Sequence, residues 1–485
     1  MAKQPYGGAE DWLDLPLNQP LFANLDQDAV VGHQTAIENG FINELGGHTR
    51  FPGLETFCEL DDDGRVYLSD FDGDLLAGTS QGKVYRVAQN AAVTNVTGTP
   101  VPGGRRMIFA KDNQEAFMAA GGQIVRLRSP KTEVLSKNAP LSTHIGVING
   151  YVVAVAINSQ LWYYSNPGYP DQWPPLNTGS ADSSPDNASA FMITDLGDLM
   201  FGGISAIEQW ERVPSGNTPF YRRWSMGDGM KVPYAMLFAD SSTWTINRRN
   251  QFVRIQGQIG RSESNDIQLI LDTIDNWTDT WIGGFPNNPC HVIGQQFFII
   301  QMPYATNPYG TKGMTLLYDY RGKRWSMLYG WDQKAGAPTR WPGWSHWRLW
   351  DQVFVGGEGK IYRLTTDTYS NDGALQRWLT RTSHIAEGNQ VQIKDFRLQL
   401  KRGAGGSGAV GTSPPAANIR VRASRDGRPF GPWIQRDLGV AGDRIQFKNY
   451  GSFGTGTTFM FEIMCADDTP LNLVKAQIKA VKIGH

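Results

Sequence analysis

The sequence is short of nearly everything that marks a catalyst, a membrane protein or a polyanion binder. Its 485 residues include three cysteines, Cys58, Cys290 and Cys465, with neither a CxxC pair nor a disulfide framework, which suits a reducing compartment. Seven histidines are scattered without HxH or HExxH spacing, so no zinc motif is present. The start, MAKQPYGGAEDW, lacks the apolar core of a signal peptide, and no run reaches the ~18 apolar residues of a transmembrane helix. The expectation is a chain made and folded in a cytoplasm, with no membrane-spanning segment. Nor is there an excess of either charge. With 45 basic and 46 acidic residues the formal net charge is −1, so any attraction to nucleic acid or anionic lipid must come from local patches.

What the sequence has instead is glycine, 55 residues of it, together with 22 Phe, 17 Tyr and 16 Trp. Turn formers and aromatics in this proportion point to many short strands joined by tight turns. A hairpin recurs along the chain. Val353-Phe-Val-Gly-Gly-Glu-Gly-Lys-Ile-Tyr-Arg-Leu364 reads strand, glycine turn, strand, and Leu75–Val87 repeats it closely. Looser copies lie at 117–127, 153–164 and 199–210, with degenerate ones at 236–246 and 297–328. The interval is about 40 residues, the length of a four-stranded propeller blade. A single hairpin cannot bury its apolar face, and a neighbouring blade can. Seven copies predict seven blades, with six as the alternative because the fifth and sixth copies match poorly. Between blades, Ser264–Ile274 places Ile267, Leu271 and Ile274 on one helical face behind capping-type Ser264 and Asn265.

After Thr368 the repeat stops. Alternating segments at 391–400, 419–423, 445–448, 459–464 and 476–483 predict a β-sandwich. The expected fold is therefore all-β, with an N-terminal arm over 1–53, a propeller over 54–370 and a separate C-terminal sandwich over 376–485.

Several segments carry candidate chemistry. The glycine-rich stretch Arg402–Pro415 superficially matches a dinucleotide loop, but Ser413-Pro-Pro and a strand follow it where that motif needs a helix. It reads instead as an exposed contact loop, with Arg402, Gly405, Gly406, Gly408, Pro414 and Pro415 as candidate interaction residues. Asp70, Asp72 and Asp74 alternate like the start of a calcium loop, yet the twelfth position is Gln81, not Glu. Ser424-Arg-Asp-Gly427 has an Asp-box flavour and is explained by a strand-joining turn. Glu208, Glu211, Asp195 and Asp198 could serve a glycosidase, but their spacing selects no pair. In Arg340–Trp350 the tryptophans Trp341, Trp344 and Trp347 form either a stacking surface for sugar or single-stranded nucleic acid, or aromatic packing between blades or at an oligomer interface. No catalytic residue, cofactor site or metal site follows from these patterns, and the expectation is a protein that is not an enzyme.

The order of motifs adds a resemblance. Arg50-Phe-Pro-Gly-Leu54 is followed by Phe201-Gly-Gly-Ile-Ser-Ala-Ile-Glu-Gln-Trp210 and the 267–274 helix. Then come Phe298-Ile-Ile-Gln-Met-Pro303, Leu317-Tyr-Asp319, Arg324-Trp325, Ser424-Arg-Asp-Gly and Asp467-Asp-Thr-Pro470. From about residue 15 to the end this series resembles the packaged-DNA stabilisation proteins of short-tailed bacteriophages, the tail hub or nozzle family. The resemblance implies a structural virion protein forming a homo-hexamer below the portal and its adaptor ring. Such a ring extends the DNA channel, retains the genome, and carries tail fibres or tailspikes and a distal plug or needle. Double-stranded DNA would pass without sequence-specific binding. The alternative is a carbohydrate-binding or carbohydrate-active propeller.

Overall fold

The computed structural model describes residues 12–15, 17, 37–128, 130–213, 219–283, 290–382, 385, 390–401, 417–427, 429–438 and 445–483. Almost all regular structure among them is strand. The chain divides into two compact units. One comprises Thr56–Ala305 and Pro342–Leu364; the other comprises Met1–Glu55, Thr306–Trp341 and Thr365–His485.

The first unit is a β-propeller. Blade one is Val66–Phe71, Asp74–Thr79, Val84–Val87 and Val93–Asn95, an antiparallel meander in sequence order. Blades two to five repeat it, beginning with Ile108–Lys111, Ser142–Ile148, Ala190–Ile193 and Met236–Ala239. The last blade is Ser345–Leu349, Gln352–Gly356 and Lys360–Thr365, with Gly53–Glu59 as its outermost strand. The ring is thus closed by pairing the first propeller strand of the chain with the last. Between blade five and the closing blade lies an irregular sixth, in which Trp281–Ile282 and Cys290–Val292 pair with Gln295–Thr306.

Local chemistry explains the hairpins. The first two strands are joined by two-residue turns at Asp72-Gly73, Asn149-Gly150, Asp240-Ser241 and Trp350-Asp351, all with positive φ at both positions. That is the twist-matched hairpin turn, which favours Asn, Asp and Gly. Trp350 is the unusual occupant at φ 50°, held by an N–H bond to the Gly73 carbonyl (3.1 Å) and an edge contact with Phe354.

The recurring glycine of the hairpin has a packing cause. A Cβ on Gly356 would sit 2.2 Å from the Val66 carbonyl of blade one, and one on Gly78 would sit 2.1 Å from Met107 Sδ ahead of blade two. Each such glycine lets the next blade approach. Blades three and four are joined by Trp162 on Phe201, Trp210 and Phe220, with ring centroids 5.0–5.6 Å apart.

The expected helix is present as a 3-10 turn, Asn265–Ile267, running into Gln268–Asp272, with Ile267, Ile270 and Leu271 buried. Ser264 does not cap it; its hydroxyl accepts the Phe252 N–H instead. Two hairpins differ from expectation. Residues 236–246 are the first and second strands of blade five, whereas the better copies are second and third strands. The 297–328 segment is no hairpin of the propeller, because the chain leaves that unit after Ala305.

The second unit is a two-sheet sandwich. One sheet runs Gly40–Ile42, His48–Arg50, Asn472–Lys482, Val391–Lys401, Ile445–Asn449. The other includes Lys312–Asp319, Arg324–Asp332, Ile37–Glu38, Trp378–Arg381, Phe459–Cys465, Asn418–Arg425 and Ile434–Asp437. Their inner faces meet in one core, with Val391, Ile393, Phe396, Leu398 and Ile478 against Trp378, Ile419, Val421, Phe461 and Ile463. Phe396 and Phe461 stack across it at 4.5 Å.

This unit corrects the expected boundaries. Residues 37–50 are not a free arm but strands of both sheets, and 306–341 belongs here and not to a continuous 54–370 propeller. Ile37–Glu38 pairs on one side with Met327 and on the other with Leu379 and Thr380, so one sheet runs across residue 372. Buried charge fixes that arrangement. Glu38 and Glu462 are both essentially inaccessible, and Arg381 bridges them at 3.4 and 2.6 Å. Arg377 adds 2.7 Å to Glu38, Arg422 joins Glu462, and the Tyr309 hydroxyl donates to Glu38. Burial disfavours the Arg381 charge, but Glu38 and Glu462 outweigh it and hold its pKa above the ordinary guanidinium value. Arg50, of the Arg-Phe-Pro-Gly motif, is fully buried and donates to the carbonyls of Tyr369, Gln376, Asp467 and Thr469. Its role is to clasp three distant segments.

Candidate functional site: the propeller channel

In a propeller the first strand of every blade faces the axis, so side chains from different blades converge there. At the ends of those strands a cavity of about 350 Å3 is lined by Ser69 and Asp70, Phe109–Lys111, Ile145–Val147, Met192, Ile193 and Asp195, and Trp347. Five blades contribute, which places it on the axis. Its floor is apolar. Asp70 is engaged by Lys111 at 2.5 Å and by the Trp347 indole N–H at 3.1 Å.

Toward the starts of the same strands the channel narrows to a cavity of about 20 Å3, lined among others by Arg106, His144, Phe191, Tyr234 and Gly283. That is room for one water molecule. The Arg106 guanidinium lies 5.0 Å from the Tyr67 ring and 4.5 Å from Trp281, and donates to the Trp344 carbonyl at 2.9 Å. Desolvation pushes its pKa down to about 10, so it stays charged at neutral pH. Arg65 sits 4.2 Å over Trp344, pairs with Asp279 at 2.8 Å and donates to the Tyr304 hydroxyl. His144 stacks on Tyr234 at 5.2 Å, and burial pushes its pKa down to about 4. This end is an aromatic and guanidinium layer, too tight for a nucleic-acid strand. Chemically the arrangement is a layer of cation–π contacts at one end and a wider, open cavity at the other.

The sequence-nominated residues fall elsewhere. Trp341, Trp344 and Trp347 are 1%, 4% and 8% exposed, so they form no stacking surface on the chain. Trp344 and Trp347 spend their indole N–H groups on Glu358 and Asp70. Arg402, Gly405, Gly406, Gly408, Pro414 and Pro415 lie outside the described residues. Of the aspartates that looked like a calcium loop, Asp72 and Asp74 share Arg86, at 3.2 and 2.9 Å. Asp426-Gly427 is a turn at φ 53° and 67°, with Asp426 accepting from Thr457 and Thr458. Two runs of adjacent arginines, 222–223 and 248–249, are matched locally: Arg222 with Asp182, Arg223 with Glu211, and Arg249 with Asp228. Arg65, Arg106 and Tyr234 were missed. Each precedes the first strand of a blade, and only that repeated position could have singled them out.

No family model matches the chain, and no curated protein does. Among solved structures it is similar to the WD40 propeller domain of Doa1, with 9% identity, TM-score 0.40 and coverage of 64% of this chain and 97% of that one. It is also similar to BamB from Moraxella catarrhalis, at 10% identity and TM-score 0.34 over 63% of this chain and 94% of that one. BBS1N, solved in complex with ARL6DN, gives 11% identity and TM-score 0.39 over 63% and 93%. At such identities the likeness concerns fold alone. The chain is a β-propeller, as its own sheets establish, joined to a β-sandwich.

Proposed function

We propose that the chain is a structural and assembly protein, not an enzyme, and that it is a tail hub or nozzle subunit of a short-tailed bacteriophage. It would be made in the host cytoplasm and built into the virion tail as a homo-hexamer below a portal and adaptor ring. There it would carry fibres or spikes and a distal plug. Two lines support this reading: the ordered motifs from Arg50 to Pro470, and the way the charged groups of both units are spent internally. The observation that carries most is the Arg106 and Trp281 layer at the narrow end of the channel. A propeller closed in this way acts as a rigid body, and a genome conduit would have to run between copies of the chain, not through one of them. A ring of heterologous contacts needs two different faces per subunit, and a propeller and a sandwich supply them.

A conduit must let the duplex slide. Each phosphate neutralised by Lys or Arg adds salt-dependent affinity, and sixfold repetition would multiply every basic position. With net charge −1 and its arginine pairs matched to carboxylates, the chain should bind duplex DNA weakly, and genome retention should be a mechanical closure. The test is binding to duplex DNA at two salt concentrations. Sub-micromolar affinity at physiological salt with a steep salt slope would overturn the proposal.

A further inference from the structure

A cavity with polar walls lies off the axis, between blades four and five, a cleft of about 410 Å3. Its floor is Met200 and Phe238, and its blade-four wall carries Asp198, Gln209 and Trp224. Gln209 donates to Asp198 Oδ2 at 2.6 Å, which orients both groups and leaves the amide carbonyl and Oδ1 without a partner among the described residues. Burial and the nearby Glu211 charge hold the Asp198 carboxyl above its ordinary range. The Trp224 indole is half-buried, and its N–H has no partner among the described residues. Across the cleft, Thr243 is 3% exposed, yet its hydroxyl bonds to no described residue. That hydroxyl opens onto the cleft, where it can meet a ligand as donor or acceptor.

We propose that this cleft binds a neutral saccharide. Two oriented acceptors, Asp198 and Gln209, match the paired hydroxyl donors of a sugar ring. Trp224 offers a flat apolar face for the ring's C–H side and an N–H at its edge, while Thr243 serves as donor or acceptor from the opposite wall. Arg223, which also lines the cleft, is paired with Glu211, so Asp198 and Glu211 together outweigh it and an anionic sugar is disfavoured there. The assignment does not depend on the hub proposal, because it concerns one wall of the propeller within a single chain.

The test uses the intact chain on a printed array of neutral oligosaccharides, followed by ligand-observed NMR titration with the best array member and with maltotriose and chitotriose. Saturable binding to at least one neutral oligosaccharide is expected. Thr243→Val should weaken it about fivefold through loss of one hydrogen bond. Trp224→Ala should weaken it by about tenfold or more through loss of stacking. Thr243→Val keeps the side-chain shape, so its melting temperature should match the parent; it carries the test if Trp224→Ala does not fold. Absence of saturable binding across the array, binding confined to anionic sugars, or unchanged affinity in a folded Thr243→Val variant would each overturn the proposal.

Discussion

Burial keeps two histidines neutral, His48 in the sandwich and His144 in the propeller, and mild acid should therefore weaken both units. For His48, desolvation outweighs a bond to the Leu17 backbone, and the Arg324 charge adds to it; for His144, desolvation outweighs a bond to Pro233, with Arg105 adding. Both pKa values fall from 6.5 to about 4. The unfolded chain then binds more protons than the folded one between those values, so stability is full above about pH 6.5 and is lost as pH falls toward about 4. Each histidine should remove about 1.4 kcal/mol at pH 5.5 and about 2.5 kcal/mol at pH 4.5. Carboxylates also titrate in this range, so the informative quantity is a difference. His144→Gln loses the stack on Tyr234 and starts less stable at pH 7.5, but it carries no titrating ring. In urea denaturation, the gap between parent and variant should shrink by about 2.5 kcal/mol between pH 7.5 and 4.5. A gap that stays constant across that range would refute the reasoning.

Three further outcomes follow from the packing. Gly356→Ala places a Cβ against the fixed Val66 carbonyl and should cost about 1–3 kcal/mol, more than Gly78→Ala, which meets side chains alone, the Met107 thioether and the Phe109 ring edge; urea midpoints of the two variants check the order. Arg381→Met leaves Glu38 and Glu462 buried without their bridge and should cost about 3–5 kcal/mol by the same measurement; a loss below 1 kcal/mol would mean the network is not needed. Replacing 403–415 with a short turn should leave monomer melting nearly unchanged and impair assembly, and a monomer that unfolds instead would show the loop belongs to the core.

The blades were legible where second and third strands carry the glycine that admits the next blade, as at Gly78 and Gly356. Blade five was read one strand early, because its second-to-third turn, Asn247–Asn250, has no glycine, while Asp240-Ser241 before it looks like the repeat's turn. The unit boundaries were not legible. Residues 306–341 alternate like any blade strand, and what removes them from the propeller is pairing to Ile37–Glu38, almost three hundred residues earlier in the sequence. Short-range pattern cannot carry such pairing. The tryptophans of 341–347 were visible, but composition gives a ring's identity and not its exposure. The channel residues Arg65, Arg106 and Tyr234 sit on separate blades and share no local motif. Of the cleft between blades four and five, Asp198 stands out in the sequence as a candidate carboxylate, whereas Gln209, Trp224 and Thr243 carry no local signal.

The central claim is that this chain builds a closed sixfold ring. Single-particle electron microscopy of the purified chain, concentrated to its solubility limit, tests it most directly. The account predicts ring-shaped particles with six equivalent subunits around an open centre. Rings of another number, open filaments, or particles that stay single at every concentration would contradict it.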